Sequence, residues 1–100
     1  MKLLWTWGGT FWGYREGNSL WTHDGRHVGQ FYDDEVYGSG GRYLGEIMSD
    51  NRLITCVGKK SWRRGGFMPY INHVGIVPYV NYVGHVMYAG YEDFPSLDEI

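Results

Sequence analysis

The chain of 100 residues has one cysteine, three prolines, no long hydrophobic run and no excess of charge of one sign. The single Cys56 excludes an internal disulfide and fits a reducing compartment. It reads as a small buried hydrophobe. The apolar start of MKLLWTWGG stops at Gly8, too short for a signal-peptide core or a membrane span. A soluble, cytoplasmic protein is expected. Nine Lys and Arg against eleven Asp and Glu leave a net charge of −2, which gives no bulk attraction to nucleic acid or an anionic membrane. Helical periodicity free of glycine is absent. Gly8-Gly9 and Gly65-Gly66 lack the helix and Lys-Ser/Thr of a phosphate loop. No nucleophile elbow or paired-cysteine motif occurs, and no cofactor is implied.

What is present is glycine, 16 of 100 residues, and aromatic side chains, 18%, with five Trp and nine Tyr. This length makes one domain, and the composition favours short strands, Gly turns and an aromatic-rich core. Two repeats stand out. PYINHVGIV (69–77) is followed at once by PYVNYVGHV (78–86), with six of nine positions identical. Their kernel, an aromatic or His, an apolar residue and Gly, recurs as Phe11-Trp12-Gly13, His27-Val28-Gly29 and Tyr43-Leu44-Gly45, spaced by 16. Gly8-Gly9, Asp24-Gly25 and Gly40-Gly41 precede these kernels at one offset. A fixed period marks a repeat architecture.

Asp-Gly and Gly-Gly between apolar alternation predict two-residue hairpins. Polar breaks at Gly17-Asn18, Asp33-Asp34 and Ser49-Asp50 halve each unit. The expected strands lie near 3–7, 10–16, 19–23, 26–32, 35–39, 42–48 and 52–57. After the basic loop GKKSWRRGG, two more are expected near 70–77 and 79–88, each opened by a proline. The fold class is all-β: a pseudo-symmetric meander of hairpin repeats, flower- or barrel-like, with little or no helix. The repeats fall near 5–20, 21–36, 37–57 and 69–88, in one domain over 1–91. Residues 92–100 read as an acidic tail.

Strict alternation puts the aromatic and the Gly of each kernel on one face. Glycine inside a strand marks a bulge or a close backbone approach. Five at one repeat position, Gly13, Gly29, Gly45, Gly75 and Gly84, point to one cause: equivalent petals converging on a common axis, none able to bury its apolar face alone.

The run LWTHDGRHVGQFYDDEVYGSGGRYLGEI resembles bacterial proteins with the four-fold β-flower domain, whose Tyr–apolar–Gly hairpins carry Asp-Gly or Gly-Gly turns. The resemblance covers residues 3–57 well and 69–90 loosely. It implies the fold and brings no catalytic residues; residues 58–68 depart from the 16-residue beat.

His23 and His27 bracket a turn on opposite faces, which disfavours a shared metal, and His73 reads as a packing ring. Tyr14, Gln30, Glu46, Ile76 and His85 follow the kernel glycines, so pseudo-rotation would set them around one pocket mouth. There Glu46 and His85 could exchange a proton if within hydrogen-bond reach. Lys59, Lys60, Arg63 and Arg64 around Trp62 read as a solvated loop, a dock for an acidic protein, or a phosphate and base contact. The cluster Asp33, Asp34, Glu35 reads as a solvated turn, with a cation-rich partner as the alternative. The expectation is a non-catalytic module binding a protein partner, in one version an immunity-type protein that blocks a toxin. The alternatives are a carbohydrate or small-ligand binder using Trp5, Trp7, Trp12 and Trp21, and a small enzyme using Glu46 and His85. The aromatic excess also suggests self-association.

Overall fold

A computed structural model describes residues 1–100. The strands are β1 (Lys2–Thr6), β2 (Phe11–Glu16), β3 (Ser19–Thr22), β4 (His27–Tyr32), β5 (Glu35–Gly38), β6 (Tyr43–Met48), β7 (Arg52–Cys56) and β8 (Tyr91–Asp93). Each pairs antiparallel with the next. β1 also pairs parallel with β7 through Trp5–Arg52 and Thr6–Leu53, which closes β1 to β7 into a barrel. β8 continues along that edge of β7, pairing with Ile54, Thr55 and Cys56 beyond the residues that β1 holds.

The strands form four hairpin petals: β1–β2, β3–β4, β5–β6 and β7–β8. The first three tips are Trp7–Gly9, His23–Gly25 and Ser39–Gly41. Their last glycines have φ of +99°, +91° and +88°, open to glycine at little cost. The loops are therefore three residues long, one more than the two-residue hairpins expected. Thr6, Thr22 and Gly38 close them by donating N–H to the carbonyls of Thr10, Arg26 and Arg42 at 2.8–2.9 Å. Trp21 rather than Thr22 then pairs with His27.

Each of the three kernels in the barrel is a β-bulge. Leu4 faces Gly13 while Trp5 faces Phe11, leaving Trp12 as the extra residue. Val28 and Leu44 are the extra residues of the next two petals. A bulge resets alternation. The aromatic and the Gly therefore do not share a face. Phe11 packs against Trp5 and Tyr79 outside the barrel. Trp12 and Leu44 belong to the inner core with Leu4, Leu20, Phe31, Val36, Leu53 and Phe94, and Val28 packs against it. Glycine follows because the neighbouring strands leave no room for a side chain there. A Cβ on Gly29 would sit 2.6 Å from a Val36 methyl, and one on Gly45 2.5 Å from the Ile54 carbonyl. Gly13 likewise abuts the Trp21 carbonyl, so each of these three glycines marks a close approach to an adjacent strand.

Leu4, Leu20 and Val36 keep the 16-residue beat, and Leu53 comes one residue late. The preceding turn has three residues, Ser49 to Asn51, with positive φ at Ser49 (52°) and Asp50 (69°).

Two expected regions differ. Residues 92–100 are part of the fold. Phe94 is buried edge-on to Trp12 at 5.1 Å, the Trp12 indole donates to the Pro95 carbonyl, and Leu97 and Ile100 pack on the core. The strands expected near 70–77 and 79–88 do not form. After a one-turn 3-10 helix, Val57–Lys59, no strand or helix appears before Tyr91. The fourth petal is β7–β8 rather than residues 69–88, and Val57–Gly90 is its greatly enlarged tip.

Candidate interaction surface

That enlarged tip is a strap around the barrel, and its side chains repeat every three residues, a period no strand can use. One position holds Gly66, Pro69, Asn72, Gly75, Pro78, Asn81 and Gly84. The next holds rings, with Ile76 among them, and those rings lie on the barrel. Tyr82 stacks on Trp5 at 3.9 Å and His73 on Trp21 at 3.5 Å. Tyr70 covers His27 at 4.7 Å, Tyr79 meets Phe11 at 5.4 Å, and His85 meets Trp7 at 4.7 Å.

The strap's backbone is clamped to the three tips by one repeated pair of hydrogen bonds. Tyr82 N–H donates to the Gly9 carbonyl (2.8 Å) and His85 N–H to Trp7 (3.0 Å). His73 donates to Gly25 (2.8 Å) and Ile76 to His23 (2.7 Å); Arg64 donates to Gly41 (2.8 Å) and Phe67 to Ser39 (3.0 Å). The donors advance by nine residues while the acceptors retreat by 16, so Lys60–Met68 is a third, degenerate copy of the nine-residue phrase. In it the Arg64 guanidinium replaces the ring, lying 5.3 Å over Tyr37, the counterpart of Trp5 and Trp21. Gly75 and Gly84 are thus not strand glycines: they press on the tips at His23–Asp24 and Gly8, as Gly66 presses on Ser39.

Two buried polar groups fasten the strap further. Arg52 donates to the Trp7 carbonyl (3.2 Å) and the Val83 carbonyl (2.9 Å). His27 donates from Nε2 to the Gly29 carbonyl and accepts the Tyr70 amide at Nδ1, both at 3.0 Å, which fixes a neutral ring. Burial holds its pKa below the ordinary imidazole value.

The third strap position faces solvent. Met68, Ile71, Val74, Val77, Val80, Val83 and Val86 are each 80–92% exposed. Beside this row an open apolar cleft of about 480 Å³ is lined by Met1, Ile76, Val77, Pro78, Tyr79 and Val80. Residues 65–90 contain no Asp, Glu, Lys or Arg. This surface was not among the sites expected from the sequence, although its triplet spacing is visible there.

The expected sites are dispersed. The Tyr14 hydroxyl meets His73 Nδ1 at 3.3 Å under the strap. Gln30 is half-buried on β4, opposite Ser19. Glu46 accepts from Tyr43 (2.7 Å) and Lys59 (2.9 Å), whereas His85 lies on Trp7; no hydrogen bond joins Glu46 to His85. Lys59 also bonds Glu35 at 2.8 Å, which lowers the Glu35 pKa and raises its own. Lys60 pairs with Glu92, and Arg64 also lies 4.3 Å over Tyr32. Trp62 is half exposed beneath Lys59, and Arg63 donates to the carbonyls of Lys60 and Trp62. Asp33 occupies a positive-φ turn, and Asp34 stands 3.8 Å from Arg15.

No group of three or more His, Cys, Asp or Glu is placed to hold a metal ion. No helix is long and apolar enough to cross a membrane. No family model, curated protein or solved structure matches the chain.

Proposed function

We propose that this protein is a non-catalytic interaction module that presents the aliphatic row of its strap to a protein partner. The observation that carries the reading is the row itself, seven aliphatic side chains at least 80% exposed at every third residue of the strap. Contiguous apolar surface of this extent on a small protein marks an interaction site. The clamped strap keeps the row ordered before binding, which lowers the entropic cost of association. Four hairpin petals accord with the β-flower resemblance, which we retain as part of this proposal. Carbohydrate stacking finds less support, because Trp5, Trp7, Trp12 and Trp21 are at most 3% exposed. Acid–base catalysis by Glu46 and His85 lacks a shared site, and the cations near Trp62 are largely engaged within the chain.

The test is a partner recovered by cross-linking from the native host and rebuilt from purified components. The double variant Val74→Asp/Val80→Asp should bind at least about tenfold more weakly, a loss of about 1.4 kcal/mol. Equal affinity of variant and wild type refutes the reading.

A further inference from the structure

We propose that the seam between the second petal and the strap is a binding site for a neutral polyhydroxylated ligand, a mono- or disaccharide, held by hydrogen bonds rather than by ring stacking. The site uses none of the row's side chains.

The strap meets the first three petals at equivalent seams. On the petal side the equivalent pairs are Leu3–Tyr14, Ser19–Gln30 and Glu35–Glu46, each facing across one hairpin. On the strap side the nine-residue step makes Val77, Met68 and Lys59 equivalent. At the third petal the chain fills its own seam, because the Lys59 ammonium bonds both Glu35 and Glu46. At the first, Leu3 and Tyr14 replace the polar pair, and the Tyr14 hydroxyl is taken by His73. At the second petal nothing is inserted. Met68 is 87% exposed. An open cleft of about 440 Å³ remains, bordered by Glu16, Ser19, Trp21, Gln30, Tyr70 and His73. That volume suits a small ligand.

Two nearly buried donors meet this cleft without a partner. Trp5, Trp7 and Trp12 donate their indole N–H to the carbonyls of Val80, Val86 and Pro95. Trp21, 2% exposed, donates to no group of the chain. No buried side-chain nitrogen or oxygen is both sealed off and unpaired, so this N–H reaches open space. Among the clefts, Trp21 borders this one alone. The hydroxyl of Ser19, a residue 9% exposed, is unpaired and open for the same reason. Beside them the Gln30 amide and the Tyr70 hydroxyl have no partner in the chain, and His73 keeps Nε2 free opposite the Nδ1 that meets Tyr14. Water can serve these groups at rest, and a ligand must replace its bonds.

The groups select the ligand. Trp21 only donates, the Glu16 carboxylate only accepts, and Ser19, Gln30 and Tyr70 do both. Sugar hydroxyls, which donate and accept at once, match this mixture. An anion meets Glu16, and the neighbouring Arg15 is turned onto the Gly17 carbonyl and Asn18. A metal ion finds one carboxylate among N–H donors. A nucleobase needs an open ring face, and His73 covers Trp21 at 3.5 Å. An apolar ligand strands the Trp21 and Ser19 donors.

The experiment is an NMR titration of the nitrogen-15-labelled full chain with glucose, galactose, mannose, N-acetylglucosamine and lactose, each to about 50 mM. Five Trp give five indole N–H signals, and Trp21→Phe identifies the one from Trp21. With at least one sugar that signal should shift saturably, with a dissociation constant of about 1 mM or tighter. The indole signals of Trp5, Trp7 and Trp12 should hold still. The double variant Ser19→Ala/Gln30→Leu should bind at least about tenfold more weakly, with the Tyr82 and His85 amides as protected as in wild type. Val74→Asp/Val80→Asp should bind the sugar as wild type does.

Absence of a saturable shift with all five sugars overturns the proposal. A shift that survives in the Ser19/Gln30 double variant also overturns it, since the sugar then sits elsewhere. Saturation by adenosine or inorganic phosphate in place of a sugar overturns the ligand class. Each of these failures leaves the reading of the exposed row standing, because no row side chain borders the cleft.

Discussion

The barrel and the strap are both written in repeats, yet they satisfy their backbones in opposite ways. The barrel repeats every 16 residues and bonds strand to neighbouring strand, with one bulge in each of the first three petals that turns Trp12, Val28 and Leu44 inward. The strap repeats every nine residues, in triplets, and its regular bonds go across to the petal tips. The barrel buries most of its aliphatic side chains; the strap lays half-exposed rings on the barrel's aromatic side chains and turns its aliphatic ones to solvent. The lesson is that one strip of rings serves both. Trp5, Trp21 and Tyr37 form the outer layer of the barrel and the seat of the strap at once. The strap thus borrows its order from the barrel, whereas the interior core of the barrel owes to the chain that follows the strap only the packing of Phe94, Leu97 and Ile100.

The largest break in the comparison should come from the barrel interior. Leu20→Ala should cost about 2–5 kcal/mol by denaturant unfolding. Barrel and strap signals should be lost together, because the strap has no fold of its own. Next in size is a tip. Gly25→Val forces a branched residue into positive φ and against the His73 carbonyl. It should cost about 1–3 kcal/mol. It should also release the strap near His73, read as new protease cleavage between Gly66 and Val77 with the barrel intact.

A pH change should act on the same junction more gently. His27 has a folded pKa below its ordinary value, so the unfolded chain takes up its proton first as pH falls. Stability should hold above about pH 7, decline as pH drops through about 6.5, and level off once the folded ring is also protonated. Protonation at Nδ1 removes the acceptor for the Tyr70 amide. His27→Gln should flatten this slope in a urea midpoint series. The Asp24 and Glu35 carboxylates are held low by Thr22 and Lys59, and add their own loss only at more acidic pH. The smallest effect on stability belongs to the exposed row. Val74→Asp should change the unfolding free energy by no more than about 0.5 kcal/mol while altering association.

Much of the barrel was legible. Alternating apolar residues between Gly-rich turns marked β1 to β7 within about a residue or two of their observed ends. The fourth petal was not, because β8 is three residues long, carries Glu92 and Asp93, and pairs with Cys56 from the far side of the strap. Bulges hid the true faces of the kernels: a one-residue skip at Trp12, Val28 and Leu44 sends Phe11 outward and Gly13 inward. The strap was misread as strands because Val and Tyr favour strands, although its triplet spacing contradicts a period of two. The imagined ring of Tyr14, Gln30, Glu46, Ile76 and His85 failed for that reason, since Ile76 and His85 belong to the strap and the others to petals.

The most direct test of the clamp is residue-resolved amide hydrogen exchange along 60–88. The amides of Arg64, Phe67, His73, Ile76, Tyr82 and His85 should exchange slowly, as three pairs nine residues apart, while those of Ile71, Val74, Val80 and Val83 exchange fast. Uniformly fast exchange across the segment, or protection alternating every second residue as in a paired strand, would contradict it.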